Sequence, residues 1–181
     1  MPSKSNVFRV ERGNTLVDIG AYCLMGNHLH LLLHEKNQNG ISAFMQKLTT
    51  AYVMYFNRKH ERTGAFFEGT YKAKHLDEDD YLKYIFSYIH LNPVEHIEPE
   101  WKELGIKNMK KVKAYLASYI HSSYLDYTGR EREEHAILNE SAFPEYFIGK
   151  NSFRSFTKSW LALKSWGDDN DYVSQQRPIE F

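Results

Sequence analysis

The sequence predicts one domain of the α+β class, in which helices pack against an antiparallel sheet. Two strands are predicted at residues 15–25 and 28–35, because apolar residues dominate both stretches and alternate in the second. Helices are predicted at about 41–59, where apolar residues recur at helical spacing, and at about 79–91. Strands followed by helices in this order favour helices layered on a sheet.

The strand at 28–35 is predicted to have a core face and a histidine face. Side chains alternate along a strand, so Leu29, Leu31 and Leu33 point to one side, which we interpret as the core face. The opposite face then carries the histidines at positions 28, 30 and 34, together with Leu32. The tight connection before this strand contains Gly26 and Asn27, two residue types suited to positive φ.

The helices that follow have recognisable faces and ends. The apolar stripe of the helix at 41–59 is interpreted as the face packed on the sheet. Alternation over residues 70–76 predicts a short third strand. Acidic residues at 77–80 favour the start of the next helix, and Pro93 ends it. A further helical or loop segment is predicted from about residue 107.

Composition narrows the class of protein. The 181 residues suffice for one domain, and no apolar run approaches the roughly 20 residues of a membrane helix. With Cys23 as the single cysteine, neither a disulfide framework nor a cysteine-rich zinc site can form within one chain. The N-terminal residues do not resemble a secretory signal, so we expect a cytoplasmic protein. Net charge is zero, but basic residues outnumber acidic ones between positions 36 and 74, which favours a local basic surface.

Two short patterns point to chemistry. His28 and His30 stand at positions i and i+2 of a strand, so they share a face and can bind one metal ion. Tyr88 and Asn92 stand four residues apart near the end of a helix, which places them on one helical face. Spacing alone leaves open an ordinary surface histidine pair and a packed tyrosine beside a helix end.

Several motifs in a fixed order resemble one family. They occupy residues 22–33 (YCLMGNHLHLLL), 51–57 (AYVMYFN), 64–72 (GAFFEGTYK), 88–94 (YIHLNPV) and 122–124 (SSY). Together they resemble the HUH transposases of the insertion-sequence-200 type with a single catalytic tyrosine, in the branch related to the REP-associated tyrosine transposases. The resemblance covers roughly residues 20–125. We therefore expect a catalytic domain over 1–125 and a helical or irregular C-terminal extension over 126–181.

The resemblance implies a fold and a reaction. It implies a ferredoxin-like antiparallel sheet with helices on one face, on which His28, His30 and Asn92 bind Mg²⁺ or Mn²⁺. Tyr88 matches the family's nucleophile, which cuts single-stranded DNA, expected beside a hairpin, and forms a 5′-phosphotyrosine before the strand is rejoined. A homodimer is also expected.

The N-terminal region departs from the family pattern, because few residues precede Tyr22 where the family has a strand and a helix. A truncated chain, a decayed element and a rearranged dimer would each explain the difference. Two other functions therefore stay open. One is an inactive relative that binds single-stranded DNA hairpins, and the other is a zinc hydrolase using His28, His30 and His34.

Overall fold

A computed structural model describes residues 7–149, 152–155 and 157. The elements in chain order are β1 (Val17–Leu24), β2 (Leu29–Glu35), α1 (Gly40–Lys59), α2 (Asp79–Leu91), α3 (Trp101–Leu104), α4 (Met109–Ser118) and α5 (Tyr124–Tyr127). Short 3-10 helices cover Asn92–His96, Glu133–Ile137, Glu140–Ala142 and Glu145–Phe147. The predicted α+β class is confirmed. None of the described helices combines the length and apolar character needed to cross a bilayer.

Within the described residues, β1 and β2 form a two-stranded antiparallel sheet. The pairing runs from Val17 opposite Glu35 to Leu24 opposite Leu29, with an irregularity that leaves Gly20 without a partner in β2. A side chain at Gly20 would lie 2.6 Å from the ring of Phe143, so the close approach of this ring requires glycine.

The connection between the strands is a turn in which the Met25 N–H donates a hydrogen bond to the His28 carbonyl at 2.8 Å. Neither Gly26 nor Asn27 has a positive φ, so the prediction about their conformation was wrong. The third strand predicted at residues 70–76 is also absent, since this described segment has neither helix nor strand hydrogen bonding. The segment forms an irregular connection between α1 and α2.

The predicted core face of β2 was wrong. Leu32 is the buried residue of β2, and it lies on the same face as His30, opposite Ala21 of β1. Leu29, Leu31 and Leu33 are only half-buried. The physical reason is that α2 packs over the histidine face, so this face contributes to the core as well as to the candidate site.

Helix α1 packs on the sheet only at its beginning. Gly40 and Met45 are its only buried residues, whereas Leu48, Tyr52 and Tyr55 further along the predicted apolar stripe are exposed. The prediction that the whole stripe packs on the sheet was therefore wrong. A helix of 20 residues is about 30 Å long, and its second half packs instead on aromatic residues of the loop that follows.

Helix α2 is the centre of the molecule, because both of its sides are buried. One side packs into a cluster of Tyr81, Tyr84, Tyr88, Leu91, Val94, Trp101, Val112 and Leu116. The other side packs into a cluster of Ala21, Cys23, Leu32, Phe86, Ile89, Tyr127, Phe147 and Phe153. Residues 86–91 of this helix are all buried, so this half has little freedom to shift and holds its side chains at fixed positions relative to β2. The second cluster includes Tyr127, Phe147 and Phe153, which belong to the predicted C-terminal extension. The division into a catalytic domain and an extension stays a prediction.

Candidate active site

The two histidines lie side by side at the start of β2. The rings of His28 and His30 meet edge to face, with centroids 4.8 Å apart. The Nδ1 atom of His28 lies 2.7 Å from Oδ1 of Asn27, which can only accept a hydrogen bond. His28 Nδ1 is therefore the protonated nitrogen, and its Nε2 carries the lone pair that a metal ligand needs.

Helix α2 brings Tyr88 and Asn92 to the same place. The ring of Tyr88 lies edge to face with His30, with centroids 5.4 Å apart. The Nδ2 atom of Asn92 lies 3.5 Å from Nε2 of His28. The structure thus brings together all four residues that the sequence singled out, and it does so within one chain.

The other half of the Asn92 amide is unusual. Asn92 is fully buried, and its Oδ1 atom has no hydrogen-bond partner among the described residues. A buried carbonyl oxygen without a partner is costly, and a bound water molecule, ligand or ion is one way in which it is satisfied. Rotating the amide by 180° exchanges Oδ1 and Nδ2, which would turn the oxygen toward His28. One oxygen and two imidazole nitrogens fit a divalent cation such as Mn²⁺ or Mg²⁺.

His34 does not belong to this group. Its Nδ1 lies 3.4 Å from a carboxylate oxygen of Asp18, and its ring packs near Phe143. In the described part of the chain, no three side chains of His, Cys, Asp or Glu are placed to hold a metal ion together. The structure does not bring the three histidines together, so the prediction of a zinc site formed by His28, His30 and His34 was wrong.

Lys102 is a site residue that sequence reasoning missed. Its Nζ lies 3.2 Å from the hydroxyl oxygen of Tyr88 and 4.9 Å from the centroid of the Tyr88 ring. The same ammonium group pairs with Glu95 at 3.0 Å. The 3-10 helix after Asn92 turns the chain so that α3 lies beside α2, and nothing in the local sequence marks this contact.

A buried histidine, His90, connects α2 to β1 through hydrogen bonds. His90 is fully buried, and desolvation lowers its pKa to about 3. Its Nδ1 lies 2.8 Å from the Phe86 carbonyl, so Nδ1 is the donor and Nε2 accepts from the Ser123 hydroxyl at 2.8 Å. Ser123 also accepts a hydrogen bond from the Tyr22 N–H at 2.9 Å. This chain of bonds ties β1 to α2, and both ring nitrogens of His90 are engaged in it, so His90 is a packing residue.

Two histidines on an antiparallel strand therefore face a tyrosine and an amide presented by a helix. This arrangement is a histidine–tyrosine centre. The family model described as "Transposase IS200 like" matches residues 6–92. Over this part, which holds both histidines, Tyr88 and Asn92, the chain is similar to the IS200-like transposases. This similarity points to transposase activity on DNA. Comparison with curated proteins and with solved structures found no match.

Proposed function

We propose that this protein is a metal-dependent transposase that cleaves and rejoins single-stranded DNA, expected beside a hairpin, through Tyr88. One observation carries the proposal. Tyr88 contacts His30, while Asn92, one helical turn further along α2, lies 3.5 Å from His28. A nucleophile and three neutral metal ligands therefore meet on two elements that the core holds rigidly.

His28, His30 and Asn92 would hold Mg²⁺ or Mn²⁺. When bound, such an ion polarises a phosphodiester and withdraws negative charge from it. All three ligands are neutral, so the charge of the ion is left uncompensated by the protein. This donor set favours an anionic partner such as the phosphate of a DNA strand.

Tyr88 supplies the nucleophile. Its oxygen attacks phosphorus, the bond from phosphorus to the 3′ oxygen breaks, and the 5′ phosphate becomes linked to the tyrosine. The phenolic proton is lost, and the departing 3′ oxygen gains one. Because the phosphotyrosine keeps the energy of the original ester, another 3′-hydroxyl can reverse the step and join a different strand without ATP.

Lys102 fits this reaction as a positioning residue. Its ammonium group donates a hydrogen bond to the Tyr88 hydroxyl oxygen and lies over the ring, so it fixes the direction of the nucleophile. A positive charge at this distance also stabilises negative charge on the phenolic oxygen.

One observation favours a second candidate function. Tyr88 is only 3% exposed, with Lys102 beside its hydroxyl group. A phosphodiester reaches the Tyr88 oxygen only if residues that cover it move. If no such movement occurs, the protein binds single-stranded DNA without cutting it.

A covalent-adduct assay distinguishes the two functions. The protein is mixed with Mn²⁺ and labelled single-stranded DNA from the flanks of its own gene, and the mixture is separated on a denaturing gel. We expect a labelled band at protein mass that is lost in Tyr88→Phe and His28→Ala. Tyr84→Phe is the matched control, because Tyr84 is a buried tyrosine one turn earlier on α2. DNA retained on a native gel without any adduct would support the binding function instead.

A further inference from the structure

The second half of α1 and the loop after it carry an exposed aromatic surface. Tyr52 is 44% exposed, Tyr55 58% and Phe67 36%. Their neighbours Phe56 and Phe66 lie with ring centroids 4.4 Å apart, and Tyr52 lies 5.3 Å from Phe66. We call these five residues the α1 aromatic patch. Exposed rings in contact with one another are uncommon on a surface that faces only water.

Hydrogen bonds hold the loop against the helix. The Asn57 side-chain amide donates to the Gly64 carbonyl at 3.0 Å, and Arg62 donates to the Ala65 carbonyl at 3.2 Å. The Tyr71 and Ser42 hydroxyl groups lie 2.8 Å apart and tie the end of the loop to the start of α1. The patch is therefore already formed before any ligand binds.

Cations lie among and beside the rings. The Arg62 guanidinium is 5.6 Å from the Phe56 centroid and 5.7 Å from that of Phe66, and Lys59 is 5.7 Å from the Tyr55 centroid. Arg58 is exposed on the same end of the helix. Within the described residues, none of these three cations forms an ion pair. Their charge is available to a ligand in a chain whose total charge is zero.

We propose that the α1 aromatic patch binds a single-stranded segment of DNA, with bases stacked on the rings and phosphates beside Arg58, Lys59 and Arg62. Stacking surfaces flanked by cations are how proteins bind unpaired strands without reading their sequence. A second copy of the chain fits less well, because an interface formed by the same patch on both copies would bring together two surfaces that each carry these cations. The proposal rests on the DNA-processing function above for the identity of the strand.

The experiment measures binding of the full-length chain to labelled 20-nucleotide oligothymidylate by fluorescence anisotropy. EDTA is present, so cleavage cannot contribute. Tyr52→Ala with Phe67→Ala should weaken binding by about tenfold or more, since each stacked base contributes about 1–3 kcal/mol. Arg58→Ser with Lys59→Ser should lower the slope of log affinity against log salt by about 1.4, at about 0.7 for each of the two charges on a single strand. Matched controls are Ile120→Ala, an exposed apolar residue elsewhere, and Lys107→Ser with Lys110→Ser.

Four other results would overturn the proposal. It fails if the wild type does not bind the oligonucleotide, or if the ring variants bind as tightly as the controls. It also fails if the ring variants weaken binding to a duplex as much as to a single strand. A light-scattering mass that falls from dimer to monomer in the ring variants would show that the patch joins two copies. The proposed function is tested separately, by adduct formation at saturating DNA. The ring variants should still form the adduct, and Tyr88→Phe should not.

Discussion

The ammonium group of Lys102 lies 3.2 Å from the hydroxyl oxygen of Tyr88, although fourteen residues separate the two along the chain. Lys102 also pairs with Glu95, which lies on the 3-10 helix that begins at Asn92. The end of α2, this 3-10 helix and α3 thus form one connected group around the tyrosine. The position of the Tyr88 hydroxyl group depends on a residue beyond the segment that the family model matches.

Replacing Lys102 should therefore slow the reaction more than it weakens DNA binding. In Lys102→Met we expect the rate of adduct formation at saturating DNA to fall by about 10- to 100-fold, because one hydrogen bond and one charge at the nucleophile are lost. Lys102→Arg should recover part of the rate. The measurement is single-turnover adduct formation with anisotropy for binding.

Lys110→Met is the control for this prediction, since Lys110 is an exposed lysine on α4. A loss of binding in Lys102→Met as large as its loss of rate would show that Lys102 contacts DNA and does not position Tyr88.

Asn92 should be required for binding of a metal ion at the candidate site. A ligand that binds only the folded state raises its melting temperature, so Mn²⁺ should stabilise the wild type. In Asn92→Ala this shift should shrink or disappear, because the buried Oδ1 is removed. The measurement is thermal unfolding with and without Mn²⁺, supported by titration of the metal followed by electron paramagnetic resonance.

Asn108→Ala is the matched control, because Asn108 caps α4 through a bond to the Lys111 N–H at 3.0 Å. Loss of this cap should cost about 1 kcal/mol of stability and leave the Mn²⁺ shift unchanged. An equal Mn²⁺ shift in the wild type and Asn92→Ala would remove Asn92 from the metal site.

Local pattern was enough to predict most elements of the fold. Strands β1 and β2 and helices α1 and α2 begin and end within two residues of the predicted positions. The third strand and the core face of β2 were wrong, because both depend on what packs against the element. Alternation along β2 cannot show that α2 covers the histidine face, and with that face buried Leu32 becomes the core residue.

The site was predictable where its residues lie within one element. His28 directly precedes β2, which contains His30, and Asn92 directly follows the last residue of α2, which contains Tyr88, so spacing places each pair on one face. That the two faces meet was implied only by the family resemblance. Lys102 could not be found, since its contact with Tyr88 depends on a chain reversal.

The contribution of the Asp18 charge to stability should be lost at low pH. A hydrogen bond from the Asn139 side chain at 3.0 Å, with further help from His34 and Lys36, lowers the pKa of Asp18 below its ordinary 3.8. A lowered pKa in the folded state contributes stability that is fully present well above 3.8 and is lost as pH falls through the folded pKa. Asp18→Asn keeps an acceptor for Asn139 but removes the charge.

We therefore expect Asp18→Asn to unfold more easily than the wild type at pH 7, by up to about 1 kcal/mol. The difference should narrow as pH falls below 3.8. Urea unfolding across this range measures it, and Asp80→Asn, at a carboxylate that is 97% exposed, is the control. A difference that stays constant with pH would mean that the charge of Asp18 does not matter.

Arg132 should be the largest single polar contributor to stability outside the site. Its guanidinium pairs with the buried carboxylate of Asp126 and donates to the Ser122 carbonyl at 2.6 Å and the Ile120 carbonyl at 2.8 Å. It also donates to the Tyr22 hydroxyl at 2.8 Å. One side chain thus joins β1 to the segment that holds Ser123, and Ser123 in turn contacts His90 on α2.

In Arg132→Leu the Asp126 carboxylate stays buried without its partner, which should lower the free energy of unfolding by about 3–5 kcal/mol. Arg132→Leu combined with Asp126→Leu should lose less than Arg132→Leu alone, because no unpaired charge is then buried. Lys83→Leu, which breaks the exposed pair with Asp79, should change the free energy of unfolding far less, because solvent screens this pair. Urea unfolding of the four proteins measures these differences. Equal losses in Arg132→Leu and in the double variant would show that the bonds to the two carbonyls and Tyr22, and not the buried charge, account for the stability.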